Sequence, residues 1–250
     1  MPPDPLWRRL LAEFLGTALL VTAVVGSGIM ATTLSPDAVG MQLLENSVAT
    51  AFALGALILT LGPISGAHFN PVVSAADWFL GRRTRTGITG TDLAGYTVAQ
   101  IVGAISGSIL ANLMFGLAPV TFSTKDRTAG HLWLGEVVAT TGLLLLIFAL
   151  GRSGRAAAAP AAVGAYIGAA YWFTSSTSFA NPAVTVGRAF TDTFAGIAPA
   201  SVPGFVAFQM AGLLVGVGLL LALYPDAGKA ADDIVVEHPA ATARTTGHHP

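Results

Sequence analysis

The chain has 250 residues, 53% of them hydrophobic and only 10% charged, with a mean hydropathy of +0.69; this balance excludes a soluble globular domain. Cysteine is absent, which excludes disulfides, thiolate chemistry and Cys-based metal sites. The net charge of −1 says little by itself, and neither a nucleic-acid partner nor a cofactor is expected.

Apolar stretches fit to cross a hydrocarbon core of ~30 Å, which takes ~20 helical residues, fall near 10–32, 43–62, 93–116, 131–151, 157–177 and 203–224. The first follows Arg8-Arg9 but runs longer than a signal-peptide core, so it reads as a retained span. Arg8, Arg9, Arg82, Arg83, Arg85, Arg152 and Arg155 fall on one side of this six-span arrangement, and Lys125 and Arg127 on the other. Positive charge in short loops marks the cytoplasmic side, so both termini are expected inside, in the cell (inner) membrane of a bacterial-type cell. The tail 225–250, rich in Ala, Asp, His and Thr, is expected to be disordered and solvated, with His248 and His249 part of it rather than a metal site.

The two halves repeat one another. Glu13 in "AEFLGTALL" is answered by Glu136 in "GEVVATTGLL", Asn70-Pro71-Val72 by Asn181-Pro182-Ala183, and "AQIVGAISG" (Gln100, Gly103, Gly107) by "FQMAGLLVG" (Gln209, Gly212, Gly216). Each half, about 7–116 and 131–224, holds three spans; an odd number inverts the second, with a pseudo-twofold axis in the membrane plane. Asn is a strong N-cap and Pro suits the first helical position, so Asn70 and Asn181 should begin two short helices, 71–80 and 182–192. At 1.5 Å rise per residue each spans ~15 Å, half a bilayer. Entering from opposite sides, they meet near the middle. The loops leading in, "ISGAHF" and "SSTSFA", are then irregular backbone at membrane depth, tolerated only where it lines a watery cavity. The predicted fold is therefore all-α: one channel domain over 1–224, with six transmembrane helices and two re-entrant half-helices. Glu13 and Glu136 should face the interior and brace the two loops by accepting backbone N–H groups; a proton or cation relay is the rival reading. Recurring Gly-x-x-x-Gly pairs at 103/107, 164/168 and 212/216 favour close helix crossings.

On "SGAHFNPV", "NPAV", the paired Glu residues and the Gln-x-x-Gly segments, the chain resembles the aquaporin, or major intrinsic protein, family over about residues 7–224. The resemblance implies a homotetramer in the lipid bilayer, each subunit passing water or small neutral solutes through its own pore. The positive ends of both half-helices and the amides of Asn70 and Asn181 would oppose cations and protons at its centre. Carbonyls of Gly66, Ala67, His68, Ser178, Phe179 and Ala180 would replace a solute's lost hydration. His68 belongs to the family's loop signature, which favours a structural role over a proton sensor or metal ligand. In most relatives Arg follows the second Asn-Pro-Ala; here Val184 does. Ungapped counting from the Asn residues adds Thr50, Ala169 and Ser178 to the selectivity ring, none of them aromatic, so a wider and less cationic filter is expected. This resembles a bacterial branch linked to movement of metalloids, uncharged arsenicals above all. Arg188 has two readings, a charge in the outer vestibule or an i,i+4 partner of Asp192, with the pair slightly favoured. The rival class is an inverted-repeat secondary transporter. A membrane enzyme fits least, since no nucleophile–base or metal constellation is present.

Overall fold

A computed structural model describes residues 4–82, 84 and 86–225; Arg83, Arg85 and the tail from 226 lie outside the described residues. Among the described residues six helices, the last two counted with the 3-10 turns that lead into them, are long and apolar enough to cross a membrane. They are α1 (Leu6–Leu34), α2 (Val39–Ser65), α4 (Gly90–Met114), α5 (Gly130–Arg152), α6 (Ala159–Phe173) and α8 (Val202–Leu223). Short 3-10 turns at Ala156–Ala158 and Pro199–Ser201 lead into α6 and α8. The two short helices are α3 (Pro71–Gly81) and α7 (Pro182–Gly187), and no strand occurs among the described residues.

Glycine sets the closest crossings. A β-carbon on Gly103 or Gly107 of α4 would collide with the carbonyls of Phe14 and Ala18 on α1, and one on Gly212 of α8 would meet Val137 and Thr140 on α5. The α1–α4 and α5–α8 pairs thus correspond between the halves, and each pair places its Glu and Gln side by side: Glu13 with Gln100, Glu136 with Gln209. Gly164 of α6 lies against the carbonyl of Ala51 on α2. At one end, Thr89 and Asp92 form a reciprocal capping box at the start of α4, and Asp92 also accepts a hydrogen bond from Arg9 of α1 at 3.0 Å. One carboxylate thereby caps a helix and fixes its neighbour.

α3 matches its predicted extent, but α7 does not reach Asp192. Its α-helical part stops at Gly187, whose β-position is filled by the Ala104 carbonyl. The chain then tightens into a 3-10 turn, Arg188–Phe190, before extending at Thr191. Thr191 Oγ1 donates to Asn112 Oδ1 at 2.7 Å, which draws the chain to α4. The loop 115–129 crosses the mouth beside α7. It is held by Ser123 N–H to Ala189 O (3.1 Å), Thr121 N–H to Phe190 O (3.3 Å) and Ala198 N–H to Lys125 O (2.7 Å).

Candidate functional site

The two loops that precede the half-helices share one design. α2 ends at Gly66, left-handed at φ +84°. Beyond it Ala67 and Phe69 in the first loop, and Ser178 and Ala180 in the second, also have positive φ. These occupy equivalent positions, three and one residues before each Asn. Non-glycine residues in this region cost ~1–3 kcal/mol each, so something outside the loop must hold them. The buried carboxylates do. Glu13 accepts from the His68 N–H (3.0 Å), the Phe69 N–H (2.7 Å), Ser65 Oγ (2.7 Å) and Gln100 Nε2 (2.8 Å). Glu136 accepts from the Phe179 N–H (2.9 Å), the Ala180 N–H (2.8 Å) and Gln209 Nε2 (2.6 Å). Each carboxylate spends both oxygens on its loop, the geometry of a brace.

At the centre, Asn70 Oδ1 caps α3 by accepting the Val72 N–H, and Asn181 Oδ1 caps α7 by accepting the N–H groups of Ala183 and Val184. Their amides tie the halves together: Asn70 Nδ2 donates to Ala180 O and Asn181 Nδ2 to Phe69 O, both at 2.8 Å. Each amide nitrogen carries two hydrogens, so one remains for a solute. Both Asn residues line a cavity of about 60 Å³, room for several molecules the size of water. Pro71, Val72, Pro182 and Ala183 lie behind them, outside the lining.

The rest of the wall is asymmetric in chemistry. Ala67, His68 and Phe69 line the cavity from the first loop; His68 Nδ1 is 3.0 Å from Ser74 Oγ, and its ring meets Tyr96 edge-on. Gly66 and Ala180, expected among the lining carbonyls, are outside it: Gly66 caps α2, and the Ala180 carbonyl already accepts Asn70 Nδ2. Elsewhere the wall is apolar, built from Leu20, Val24, Leu54, Ile58, Val73, Leu143, Ile147, Val163 and Ile167. Towards the mouth beside α7 stand Thr50, Tyr171, Ser178, Phe179, Val184 and Arg188.

Ala169 is not in that ring. It is exposed on the outer face of α6, and the cavity is met by Ile167 and Tyr171. These two share a helix face; Ala169, two residues from each, is turned ~200° away. Tyr171 OH lies 3.2 Å from Thr50 Oγ1. Ser178 Oγ is buried with no hydrogen-bond partner among the described residues. Nor does Arg188 pair with Asp192, whose carboxylate accepts from the Thr124 N–H at 3.0 Å and from the Ser123 and Thr124 hydroxyls. Arg188 is buried, donates from Nε to Ala195 O and places its guanidinium carbon 3.5 Å from the centre of the Phe179 ring. The ring therefore carries two aromatics that ungapped counting left out, and of the two readings of Arg188 it is the charge at the mouth, not the Asp192 pair, that the structure shows. Two half-helices with their N-termini and Asn caps converging on a narrow, mostly apolar passage define a membrane channel.

The profile of the family described as "Major intrinsic protein" matches residues 3–178. Aquaglyceroporin AqpS of Rhizobium meliloti is 51% identical over 215 residues, 86% of this chain and 89% of that protein. The probable aquaporin AqpM of Archaeoglobus fulgidus is 32% identical over 217 residues, 76% of this chain and 85% of that one. In fold, the crystal structure of the aquaglyceroporin from Plasmodium falciparum superposes with a TM-score of 0.62 at 21% identity, covering 88% of this chain and 96% of that one. The chain belongs to the major intrinsic protein family. It is a multi-pass integral membrane protein and a passive channel for small uncharged solutes.

Proposed function

We propose that the channel conducts glycerol-like polyols and neutral trihydroxylated metalloid acids alongside water, with ions and protons excluded at Asn70 and Asn181. The observation that carries this reading is the two-sided ring beside α7. Its hydroxyl-bearing residues Thr50, Tyr171 and Ser178 line a passage whose wall, apart from His68, Asn70, Asn181 and Arg188, is apolar. A compact solute with hydroxyls on one side and carbon or a metalloid centre on the other matches both surfaces. Val184 leaves the position after Asn-Pro-Ala uncharged, while Arg188 keeps a cation-repelling charge one turn further out. The charge is displaced rather than lost.

The rival secondary transporter needs a coupling-ion site. The fully buried carboxylates of the long spans, Glu13 and Glu136, are committed to loop amides, and no acidic residue is among the described residues lining the cavity. Sequence charge favours termini on the cytoplasmic side, which makes the mouth beside α7 the outer one. A homotetramer is proposed on family membership. Stopped-flow light scattering on proteoliposomes, comparing water, glycerol, urea and neutral arsenite, tests the solute assignment. Glycerol and arsenite flux well above empty vesicles supports it; flux of water alone contradicts it.

A further inference from the structure

Arg127 sits in the loop 115–129, 49 residues before Ser176 and 69 before Gly196, yet its guanidinium is pinned to both at the same mouth. Its Nε donates to Gly196 O at 3.2 Å, its Nη1 to Ser176 O at 3.3 Å, and its backbone N–H to Ser201 Oγ at 2.9 Å. Its guanidinium carbon lies 5.1 Å from the centre of the Phe179 ring, the ring on which Arg188 also rests at 3.5 Å. Phe179 itself is fixed by its N–H to Glu136 and by an edge-on contact with Phe205 at 5.0 Å. Two guanidinium groups thus lie against one buried aromatic ring, although like charges repel. A planar cation is attracted to an aromatic face by the ring quadrupole, and the fork of Arg127 holds two carbonyls through separate N–H groups in a fixed geometry. Burial pushes Arg127 below the ordinary arginine range, with the Glu136 carboxylate opposing the shift. Such a costly placement of a charge, on acceptors that belong to the segments carrying Phe179 and Arg188, has a use.

We propose that Arg127 is a specificity-determining positioning residue of the channel: by bridging Ser176 O and Gly196 O against Phe179, it sets the Phe179–Arg188 stack and with it the width of the constriction. In this chain the crossing loop, rather than the residue following Asn-Pro-Ala, supplies that control. The inference rests on the channel reading given under the proposed function.

The test is the ratio of erythritol to glycerol flux in proteoliposomes for wild type, Arg127→Ala, Arg127→Lys, Arg188→Ala and the Ala/Ala double variant. Arg127→Ala should raise the ratio by about tenfold, the lower end of what a fitted pocket discriminates per methylene-sized step. Arg127→Lys should raise it too, because an ammonium keeps the charge but loses the bridge. The double variant should match Arg188→Ala alone, as expected if Arg127 acts through the stack. A wild-type ratio in Arg127→Lys overturns the bridging geometry, and does so even if Arg127→Ala fails to assemble. Additive effects in the double variant also overturn it. If wild-type protein passes no solute, the channel reading has failed instead, and the wild-type trace alone shows that.

Discussion

Glu136→Gln isolates the brace on the second loop with almost no change of shape. The carboxylate accepts three hydrogen bonds, from the Phe179 and Ala180 amides and from Gln209 Nε2. The substituted amide has one oxygen and one NH₂, so one oxygen position becomes a donor. If the NH₂ takes the Oε1 place, it faces the Phe179 N–H donor to donor. If it takes the Oε2 place, Gln209 can turn its own carbonyl toward it, since Gln209 Oε1 is buried without a partner; the Ala180 N–H is then orphaned. Either orientation strands one buried loop amide, at ~1–3 kcal/mol, and the remaining bonds lose charge assistance, which roughly halves them. The expected loss is ~2–4 kcal/mol, concentrated in a loop that holds Ser178 and Ala180 at positive φ. Hydrogen exchange of the Phe179 and Ala180 amides in detergent-solubilised protein, with thermal unfolding in parallel, measures it. Exchange should accelerate at these amides, the melting temperature should fall, and solute flux per inserted protein should drop. Wild-type exchange, melting and flux together would refute the brace.

Asn181→Asp places a carboxylate where α3 and α7 start; N-capping survives, but the amide donor to Phe69 O is lost. Neutral-solute flux should fall and a cation leak appear in planar-bilayer recordings, whereas wild-type flux without a leak would remove Asn181 from the pore centre. Val184→Arg puts a second guanidinium beside Arg188 and should slow glycerol about tenfold more than water, a differential barrier of ~1.4 kcal/mol; Val184→Arg with Arg188→Ala controls for repulsion between them, and an unchanged flux ratio in both variants would take Val184 out of the constriction. Lys125, whose Nζ donates to Phe194 O at 2.7 Å, is pushed down to about 8, chiefly by burial and further by Arg127 and Arg188 against the opposing Asp192. It is charged below that pH and neutral above it, so its acylation rate should rise with a midpoint near 8, ahead of the chain's other lysine, Lys229; a midpoint near 10 would contradict the local environment described here.

The elements that repeat between the halves were legible because chemistry and position recur together. Asn70 and Asn181 announce themselves by capping preference, and Glu13 and Glu136 by the cost of a charge in an apolar span. Ala169 misled because counting back from Asn181 assumes that the intervening segment keeps one geometry, whereas α6 ends at Phe173 and the loop then passes through three left-handed residues, Thr177, Ser178 and Ala180. That brings Tyr171 inward instead. Arg188 misled for a related reason: an i,i+4 pair requires α-helix through Asp192, and the 3-10 turn after Gly187 removes it. Arg127 and the Phe179 stack had no periodic signal at all. Their partners lie between 9 and 74 residues away in sequence, and only the path of the loop across the mouth brings them together.

The most direct test of the channel account pairs two recordings on one preparation of the full chain: stopped-flow glycerol flux in proteoliposomes over a wide concentration range, and ion conductance in planar bilayers. The converging half-helix caps and the fully committed carboxylates predict glycerol flux that rises linearly with its gradient, shows no saturation and is indifferent to proton or sodium gradients, with no ion current above that of protein-free bilayers. Saturable flux that an ion gradient accelerates, or an ion current that scales with the amount of protein, would contradict the account.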